Sequence, residues 1–417
     1  MSPETQGQPP PYRLGWVRHA WSFLRTERQI AHLLGGAHLA YLGALWKETE
    51  PVVAGGRCWP SGTNGPLAPV MDGTVIDNLY RPANEPRFGF EQQQFVLGDV
   101  HGVRPQFREV AIQEWWHLVA PSGYLLLRVS GRRGAVPSVE RSAQLCPYSA
   151  VRFRKPLYYG RGELVLLQKQ ASVALGRMDQ WTFGLISNGK RLDWLREAIA
   201  SIHAQGIPDY EILVIGPRQQ LPVEEARVRV IDFSEQDELG WISRKKNLLV
   251  REARHENLAI LHDRIALDAG WHAGMQRYGN AFWLLGVPTR SVTNQQRNVD
   301  WVRYPGRRRV HERLTEIEFL DYEDWDPDAF LNGALLISKR TCWTSLGMDE
   351  RLFWQQNEDL WFARAFVARG WLPRLNPFSL AWSKTFYRTR IALKLRPGGS
   401  RRRVVTPWKQ FFEAAQP

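Results

Sequence analysis

Apolar residues recur along the chain in two rhythms, continuous short runs and turns of three to four, and the two rhythms alternate. In the first half the apolar run 95–97 ends in Gly98-Asp99. A stretch with Phe107, Val110, Ala111 and Leu118 on one helical face follows, and Pro121-Ser122-Gly123 predicts a turn into the run 124–129. Another run, 163–167, closes this half. The second half opens with the run 181–186, which ends in Ser187-Asn188-Gly189. A helix carrying Leu192, Leu195, Ile199 and Ile202 comes next and is broken by Gly206-Ile207-Pro208. Strands are predicted over 211–215 and 228–231, a helix over 246–253, and a strand over 258–261 that runs directly into His262-Asp263-Arg264. Strands alternating with helices imply an α/β chain with mostly parallel, doubly wound sheets. The ligand crevice of such a sheet lies at the carboxyl ends of its strands. Asn188, Gly216 and Asp263 occupy such ends.

Composition narrows the class. The 417 residues have room for more than one domain, and 44% hydrophobic with 12% aromatic is ample for packed cores. Cys58, Cys146 and Cys342 are widely separated, which excludes a disulfide framework and a cysteine-built zinc site and fits a reducing compartment. The start of the chain is polar and rich in Pro and Gln, unlike a secretory signal, so a cytoplasmic location is expected. The uncharged stretch 29–46 carries His32 and His38 and falls short of the roughly 20 apolar residues that a membrane span needs. Net charge is +13, and nine basic residues from Lys384 onward face Glu413 alone, so the excess gathers in the tail. Ile391, Leu393, Leu395, Trp408, Phe411 and Phe412 interleave with those cations. That mixture suits an anionic membrane surface, with domain packing as the alternative.

Four segments carry more specific information: WTFGLISNGKR from Trp181, the pair YEILVIG and GWISRKKNLLVREA, LAILHDRIAL, and the run from LNGALLISKR to GMDERLFWQQNEDLWFARAFVARGW. In this order they resemble the nucleotide-diphospho-sugar transferases of the GT-A fold, specifically glycosyltransferase family 2, over about residues 175–385. The resemblance implies an inverting glycosyltransferase of hexosyltransferase type. It would move a sugar from a nucleotide-sugar donor to a hydroxyl of a cell-envelope glycan, such as lipopolysaccharide, or to a lipid-linked acceptor. Such chemistry must stabilise a departing diphosphate, by a divalent cation on carboxylates or by Lys and Arg, and must activate a hydroxyl. The implied donor-binding residues are Ser187, Asn188, Lys245, Lys246, Asn247, Asp263 and Arg264, with Asp263 as the ligand of Mg or Mn. The implied acceptor side holds Asn332, Gly333, Asp349 and Glu350. Asp359 of the Glu358-Asp359 pair is the implied general base, and capping of the helix that follows is its plainer role.

Three departures from the family pattern stand out. Asp263 is flanked by His262 and Arg264 rather than by further carboxylates, Ile215-Gly216-Pro217 lacks the aspartates common after that strand, and no histidine follows Asp359. The first half, from its segments FVLGDV and VAIQEWWHLVAPSGYLLLRV, looks like the later part of a class I methyltransferase fold. It lacks an evident glycine-rich loop, since Gly55-Gly56 is a poor substitute, which implies a degenerate domain. The expected organisation is therefore a flexible segment 1–15, a Rossmann-like, methyltransferase-like domain 16–172, a GT-A domain 173–388 and a basic aromatic tail 389–417. The expected site of action is the inner face of the cytoplasmic membrane. The competing functions are methylation from S-adenosylmethionine in the first half, and a noncatalytic scaffold or nucleic-acid binder suggested by charge alone. No nucleic-acid signature accompanies that charge.

Overall fold

The computed structural model describes residues 53–54, 91, 93–99, 107–129, 137–156, 163–173, 176–234, 240–304, 318–322, 325–354, 356–385, 392–395 and 401–404. The segments 1–15 and 29–46 and the pair Gly55-Gly56 lie outside them.

The first half builds β1 (Val53–Ala54), β2 (Gln93–Asp99), α1 (Arg108–Leu118), β3 (Val119–Val129), α2 (Val139–Leu145), β4 (Ser149–Pro156) and β5 (Glu163–Lys169). Their sheet has the order β1-β2-β3-β5-β4; β1, β2 and β3 run parallel, and β5 is antiparallel to both its neighbours. The expected strand–helix–strand rhythm is present, but Pro121-Ser122-Gly123 is not a turn between elements. It lies inside β3, where Ser122 takes a φ of 65° and the pairing with β2 shifts register between Gln93 and Phe95.

The second half continues with β6 (Gln180–Ile186), α3 (Leu192–His203), β7 (Asp209–Gly216), β8 (Val228–Asp232), α4 (Ile242–Glu252), β9 (Asn257–His262), β10 (Ile265–Leu267), α5 (Trp271–Tyr278), β11 (Leu284–Gly286), β12 (Thr289–Ser291), β13 (Trp301–Arg303), β14 (Glu318–Phe319), β15 (Ala329–Leu331), β16 (Leu335–Lys339), α6 (Arg340–Leu346), α7 (Glu358–Ala368), β17 (Pro373–Leu375), β18 (Ala381–Ser383), β19 (Ala392–Leu395) and β20 (Arg401–Val404). A seven-stranded sheet of order β17-β11-β16-β9-β6-β7-β8 forms its centre. β9, β6, β7 and β8 are parallel, whereas β16 lies antiparallel to β9 and to β11. β6 and β7 read as unbroken apolar runs because both faces are covered. Leu195 and Ile199 of α3 pack on Phe183, Leu185, Ile212 and Val214, while Leu249 and Val250 of α4 pack on Leu213, Ile215, Leu258 and Ile260. Burying each such side chain is worth about 1.5–3 kcal/mol, which makes this sheet a firm platform for whatever stands at its edge.

α4 begins at Ile242, earlier than the apolar spacing predicted, because its first turn is fastened to the loop before α7. Trp241 Nε1 donates to the Glu350 carbonyl at 2.5 Å, and Ser243 Oγ donates to the Leu352 carbonyl at 2.5 Å. Lys245, Lys246 and Asn247 consequently lie inside the helix, not at the N-terminus where the sequence placed them.

The two halves share a hydrophobic core. One cluster runs from Val96, Trp115 and Leu167 to Leu249, Trp343, Phe366 and Leu375. Polar contacts reinforce it: Arg141 donates to the Val367 carbonyl at 2.9 Å, Gln113 donates to the Gly370 carbonyl, and the buried Arg374 pairs with Glu114. The described part of the tail is a hairpin, β19 antiparallel to β20, with β20 extending the sheet β15-β13-β14-β20-β19. Residues 396–400 and 405–417 lie outside the described set. Among the described residues no helix is long and apolar enough to cross a membrane.

Candidate active site

Four strand ends and one strand start meet at one edge of the seven-stranded sheet. β6 and β9 are in register up to Ile186 opposite His262, so the residues that follow them, Ser187 and Asp263, are neighbours. Ser187 Oγ donates to Asp263 Oδ2 at 2.7 Å and accepts from Gly189 N at 3.1 Å, while Asp263 N is held by the Ile186 carbonyl at 3.0 Å. Burial pushes the Asp263 carboxyl above its ordinary range, against the pull of the Ser187 hydroxyl, Arg264 and Lys245. Next along the edge, the glycine of Ile215-Gly216-Pro217 has a steric cause. A Cβ there would collide with the Ser187 carbonyl oxygen, so the strand end that lacks an aspartate is the one on which Ser187 rests.

The second cluster forms where β16 starts beside the end of β9. The backbone N of Gly333 donates to Asp359 Oδ2 at 2.8 Å, and Leu360 N donates to Asp359 Oδ1 at 2.8 Å. Behind them Lys246, 0% exposed, reaches Glu358 Oε1 at 3.4 Å, with the Glu358 side chain only 11% exposed. Gly333 leaves the space in which these groups meet: a Cβ there would lie 2.8 Å from Lys246 Nζ and 3.2 Å from Asp359 Cβ. Loss of hydration and the adjacent Glu358 carboxylate push Asp359 up to about 7. Lys246 and the two backbone N–H groups oppose that rise without cancelling it. The capping role for Asp359 is corrected by this geometry. The residue preceding the helix is Asn357, in the left-handed region at φ 60°, and Asp359 sits in the first turn with one oxygen committed across the site to Gly333.

The other sequence-derived positions fall into different roles. Lys245, 3% exposed, lies with its Nζ 5.2 Å from the centre of the Phe233 ring. Arg264 lines a small cleft with Asn332, Thr289, Asn298 and Asp300. Asn332 turns its Oδ1 back to Ala334 N at 2.8 Å, and the exposed Asn188 likewise accepts from Lys190 N at 3.1 Å. Asn247 spends its amide on protein: Nδ2 donates to the Met348 carbonyl at 2.9 Å and to Glu350 Oε1 at 3.1 Å, and Oδ1 accepts from Met348 N and Trp343 Nε1. The structure thus uses Asn247 to fasten the 347–350 loop, and Glu350 is drawn into that fastening. Asp349 is clamped by the surface residue Arg351, whose hydrogen bonds hold the Asp349 carboxyl down at about 2. At that value it is too weak a base for a hydroxyl.

Two residues on the rim were given no site role from the sequence. Asp232 ends β8 in register with Gly216 and accepts from the backbone N of Arg218 and Ser234, each at 3.1 Å. Its signal was available: an apolar run stopped by a carboxylate at a parallel strand's carboxyl end, as at Asp263. The second is His262, whose Nε2 is buried without a hydrogen bond. Burial, together with Arg264, Lys246 and Lys245, holds this imidazole neutral, far below its ordinary value.

The donor set was tested against a divalent ion. Mg is usually taken through one or two carboxylates, and Ca through more oxygens still. Among the described residues no group of three His, Cys, Asp or Glu side chains could hold a metal, and Asp263 is the lone carboxylate at its strand end, between Arg264 and Lys245. Asp263 is the one residue of the implied Mg or Mn site that the structure places at this edge, a single carboxylate beside two cations.

No family model matches the chain, and no curated protein matches it. Among solved structures the chain is similar to TarS of S. aureus, at 11% identity and a TM-score of 0.33, over 49% of this chain and 37% of that one. It is also similar to GalNAc-T7 crystallised with UDP, GalNAc and Mn2+, at 12% identity and a TM-score of 0.36, over 49% of this chain and 43% of that one. The 1–349 portion of TarS in complex with UDP-GlcNAc gives 11% identity and a TM-score of 0.32, over 49% of this chain and 59% of that one. The chain therefore spans about two-fifths of the length of the first two, and likeness at this level carries no weight for function.

Proposed function

We propose that the chain is an inverting glycosyltransferase of the GT-A, family 2 type, transferring a sugar from a nucleotide-diphospho-sugar donor to a hydroxyl. The observation that carries this reading is Asp359: a half-buried carboxylate pushed up to about 7, held by Gly333 N at the rim of a parallel sheet whose neighbouring strand ends present Ser187, Asp263 and cations. A base that titrates near neutral pH combines adequate strength with an ionised population, and such a base typically contributes about 10²-fold to 10⁴-fold. In the reaction Asp359 takes the acceptor hydroxyl proton, and the acceptor oxygen bonds to the anomeric carbon. The bond from that carbon to the diphosphate breaks, with its electron pair leaving on the phosphate oxygen. Asp359 lies on the β16 side of the rim and Ser187-Asp263 on the β6 and β9 side. Base and leaving group placed on opposite sides of the sugar give inversion.

The acceptor is part of the proposal: a cell-envelope glycan or lipid-linked saccharide, reached at the inner face of the cytoplasmic membrane. The concentration of basic residues after Lys384 supports it, and β19 and β20 tie that tail to the sheet beside the site. The first half remains proposed as a methyltransferase-like domain without activity, supported by the parallel pair β2 and β3 joined through α1.

The test is a panel of UDP-, GDP-, CDP- and dTDP-sugars assayed for hydrolysis and for thermal stabilisation, since a ligand that binds only the native state raises Tm. Consumption of one donor supports the proposal. Stabilisation by S-adenosylmethionine with no response to any sugar nucleotide overturns it in favour of methyl transfer.

A further inference from the structure

α7 carries Asp359 at one end and meets the first half of the chain at the other. Asp359 sits in its first turn, with Oδ2 accepting from Gly333 N at 2.8 Å. The last carbonyls of a helix lack partners within it and must find them elsewhere. Those of Ala365 and Phe366 accept from the backbone N of Arg369, at 3.2 and 3.0 Å, whereas those of Val367 and Ala368 are met from the first half. Arg141 of α2 donates to the Val367 carbonyl at 2.9 Å, and Gln144 of the same helix donates to the Ala368 carbonyl. Just beyond, Gln113 of α1 donates to the Gly370 carbonyl. The last turn of α7 has no basic residue of its own, so the cation that suits the negative end of its dipole is supplied there by Arg141. These donors are themselves held. Arg141 lays its fork on Glu109 of α1, at 2.9 Å from Nε and 2.7 Å from Nη2, and its Nη1 donates to Gln144 Oε1 at 2.9 Å. That bond turns the Gln144 amide so that its nitrogen faces Ala368. The approach is close at the backbone level: Gly370 takes a φ of 79°, and a Cβ there would lie 2.7 Å from the Gln144 carbonyl oxygen.

We propose that the first half is a brace for α7: through Arg141, Gln144 and Gln113 it fixes the helix along its axis and so keeps Asp359 against Gly333, in the geometry that proton transfer needs. This rests on Asp359 being the base, and it gives the first half a role that needs no S-adenosylmethionine. The 11 residues of α7 make a rod about 16 Å long, so a slide at Val367 reappears at Asp359. Phe362 and Phe366 hold the rod from the side, with ring centres 4.4 Å from Trp343 and 5.7 Å from Trp371. Apolar contact of that kind is not directional, whereas hydrogen bonds to the terminal carbonyls are, and they resist motion along the axis. A reacting group displaced by about 1 Å can lose about 10²-fold in rate. Arg141, Gln144 and Gln113 are thus positioning residues that act through α7.

The experiment compares the full chain with Arg141→Met, which keeps an apolar stem and removes the charge and every donor. Gln144→Ala, at an exposed position, is the second variant, and Leu126→Ala, which empties a buried place in β3 outside the shared core cluster, is the control for lost stability. Two quantities are measured: amide hydrogen exchange along α7 by mass spectrometry, and kcat for the sugar nucleotide that the parent consumes, beside Kd for its nucleoside diphosphate. In Arg141→Met the amides of α7 are expected to exchange about 10-fold faster while those of β6, β7 and β9 hold, the effect of losing a charge-assisted hydrogen bond. In the same variant kcat is expected to fall by about 10-fold with Kd within about 2-fold of the parent. Gln144→Ala should do the same more weakly, and Arg141→Lys, which can still donate to a carbonyl, should recover part of kcat. Leu126→Ala should lower Tm and leave both α7 exchange and kcat near the parent's. Unchanged exchange of α7 in Arg141→Met and Gln144→Ala overturns the brace. Faster exchange with an unchanged kcat overturns the positioning of Asp359, and so does a kcat that falls as far in Leu126→Ala. If the parent consumes no sugar nucleotide, the glycosyl-transfer reading fails by itself, and the exchange of α7 still decides whether the first half holds that helix.

Discussion

Two aspartates stand on the same rim in different surroundings. Asp263 ends a parallel strand, accepts a hydroxyl hydrogen bond from Ser187 and has Arg264 and Lys245 near it. Asp359 opens a helix, accepts two backbone N–H groups and lies against a second carboxylate, Glu358, whose charge Lys246 only partly offsets. Both are raised by burial, and at Asp359 the like-charge neighbour adds to that burial, which together carry it to about 7. In the proposed reading the two surroundings divide the work, with Asp263 on the diphosphate side and Asp359 as the base, and the difference teaches that similar burial leaves the neighbouring charge to set two carboxylates apart.

The contrast can be broken from either side. The largest effect is expected from Asp359→Asn, which keeps size and loses the base: sugar transfer should fall by at least about 10²-fold while donor affinity changes little. Gly333→Ala should come next. Its methyl group would meet Lys246 Nζ at 2.8 Å and Asp359 Cβ at 3.2 Å, and a misplaced base of this kind costs up to about 10²-fold in kcat, measured beside an unchanged Kd for the nucleotide. Asp263→Ala should act on the other task, raising donor Kd by about 10-fold with a smaller change in kcat, because it removes the acceptor of the Ser187 hydroxyl and disturbs the phosphate side.

The smallest expected effect is on stability. The Asp359 carboxyl binds its proton more tightly in the folded chain, at about 7, than at its ordinary 3.8. The stability this contributes is complete below the ordinary value and is lost as pH rises toward and through about 7. Asn carries no such dependence. The Tm of Asp359→Asn relative to the parent should therefore climb between about pH 4 and pH 7, by a few degrees on the scale of single-group effects.

The parts of this molecule legible in its sequence are those fixed by local rules. β6, β7 and β9 are continuous apolar runs because α3 and α4 cover both faces, so their positions and the polar residues at their ends could be read directly. β4 was missed, as were three-residue strands such as β12, β13 and β15. Such short segments hold too few residues to show a period, and they exist because distant strands pair with them. The start of α4 was misplaced because Trp241 and Ser243 are fastened to residues more than a hundred positions away. At the site, Asp359 was singled out through resemblance, but its partner Gly333 and the buried Lys246–Glu358 pair are long-range facts that no spacing displays. Asn247 illustrates the converse: its residue type suits a nucleotide, and only the fold reveals an amide fully engaged with the 347–350 loop.

The claim that Asp359 is the base is tested most directly by the pH dependence of kcat/KM for sugar transfer in the parent and in Asp359→Asn. The parent rate should rise with pH through a midpoint near 7, as the carboxyl gives up its proton and becomes competent to accept one, and the Asn variant should show a low rate without that limb. A parent profile flat across that midpoint, or a variant that keeps both the limb and a rate near the parent's, would contradict the account and leave Asp359 as an anchor for the Gly333 backbone.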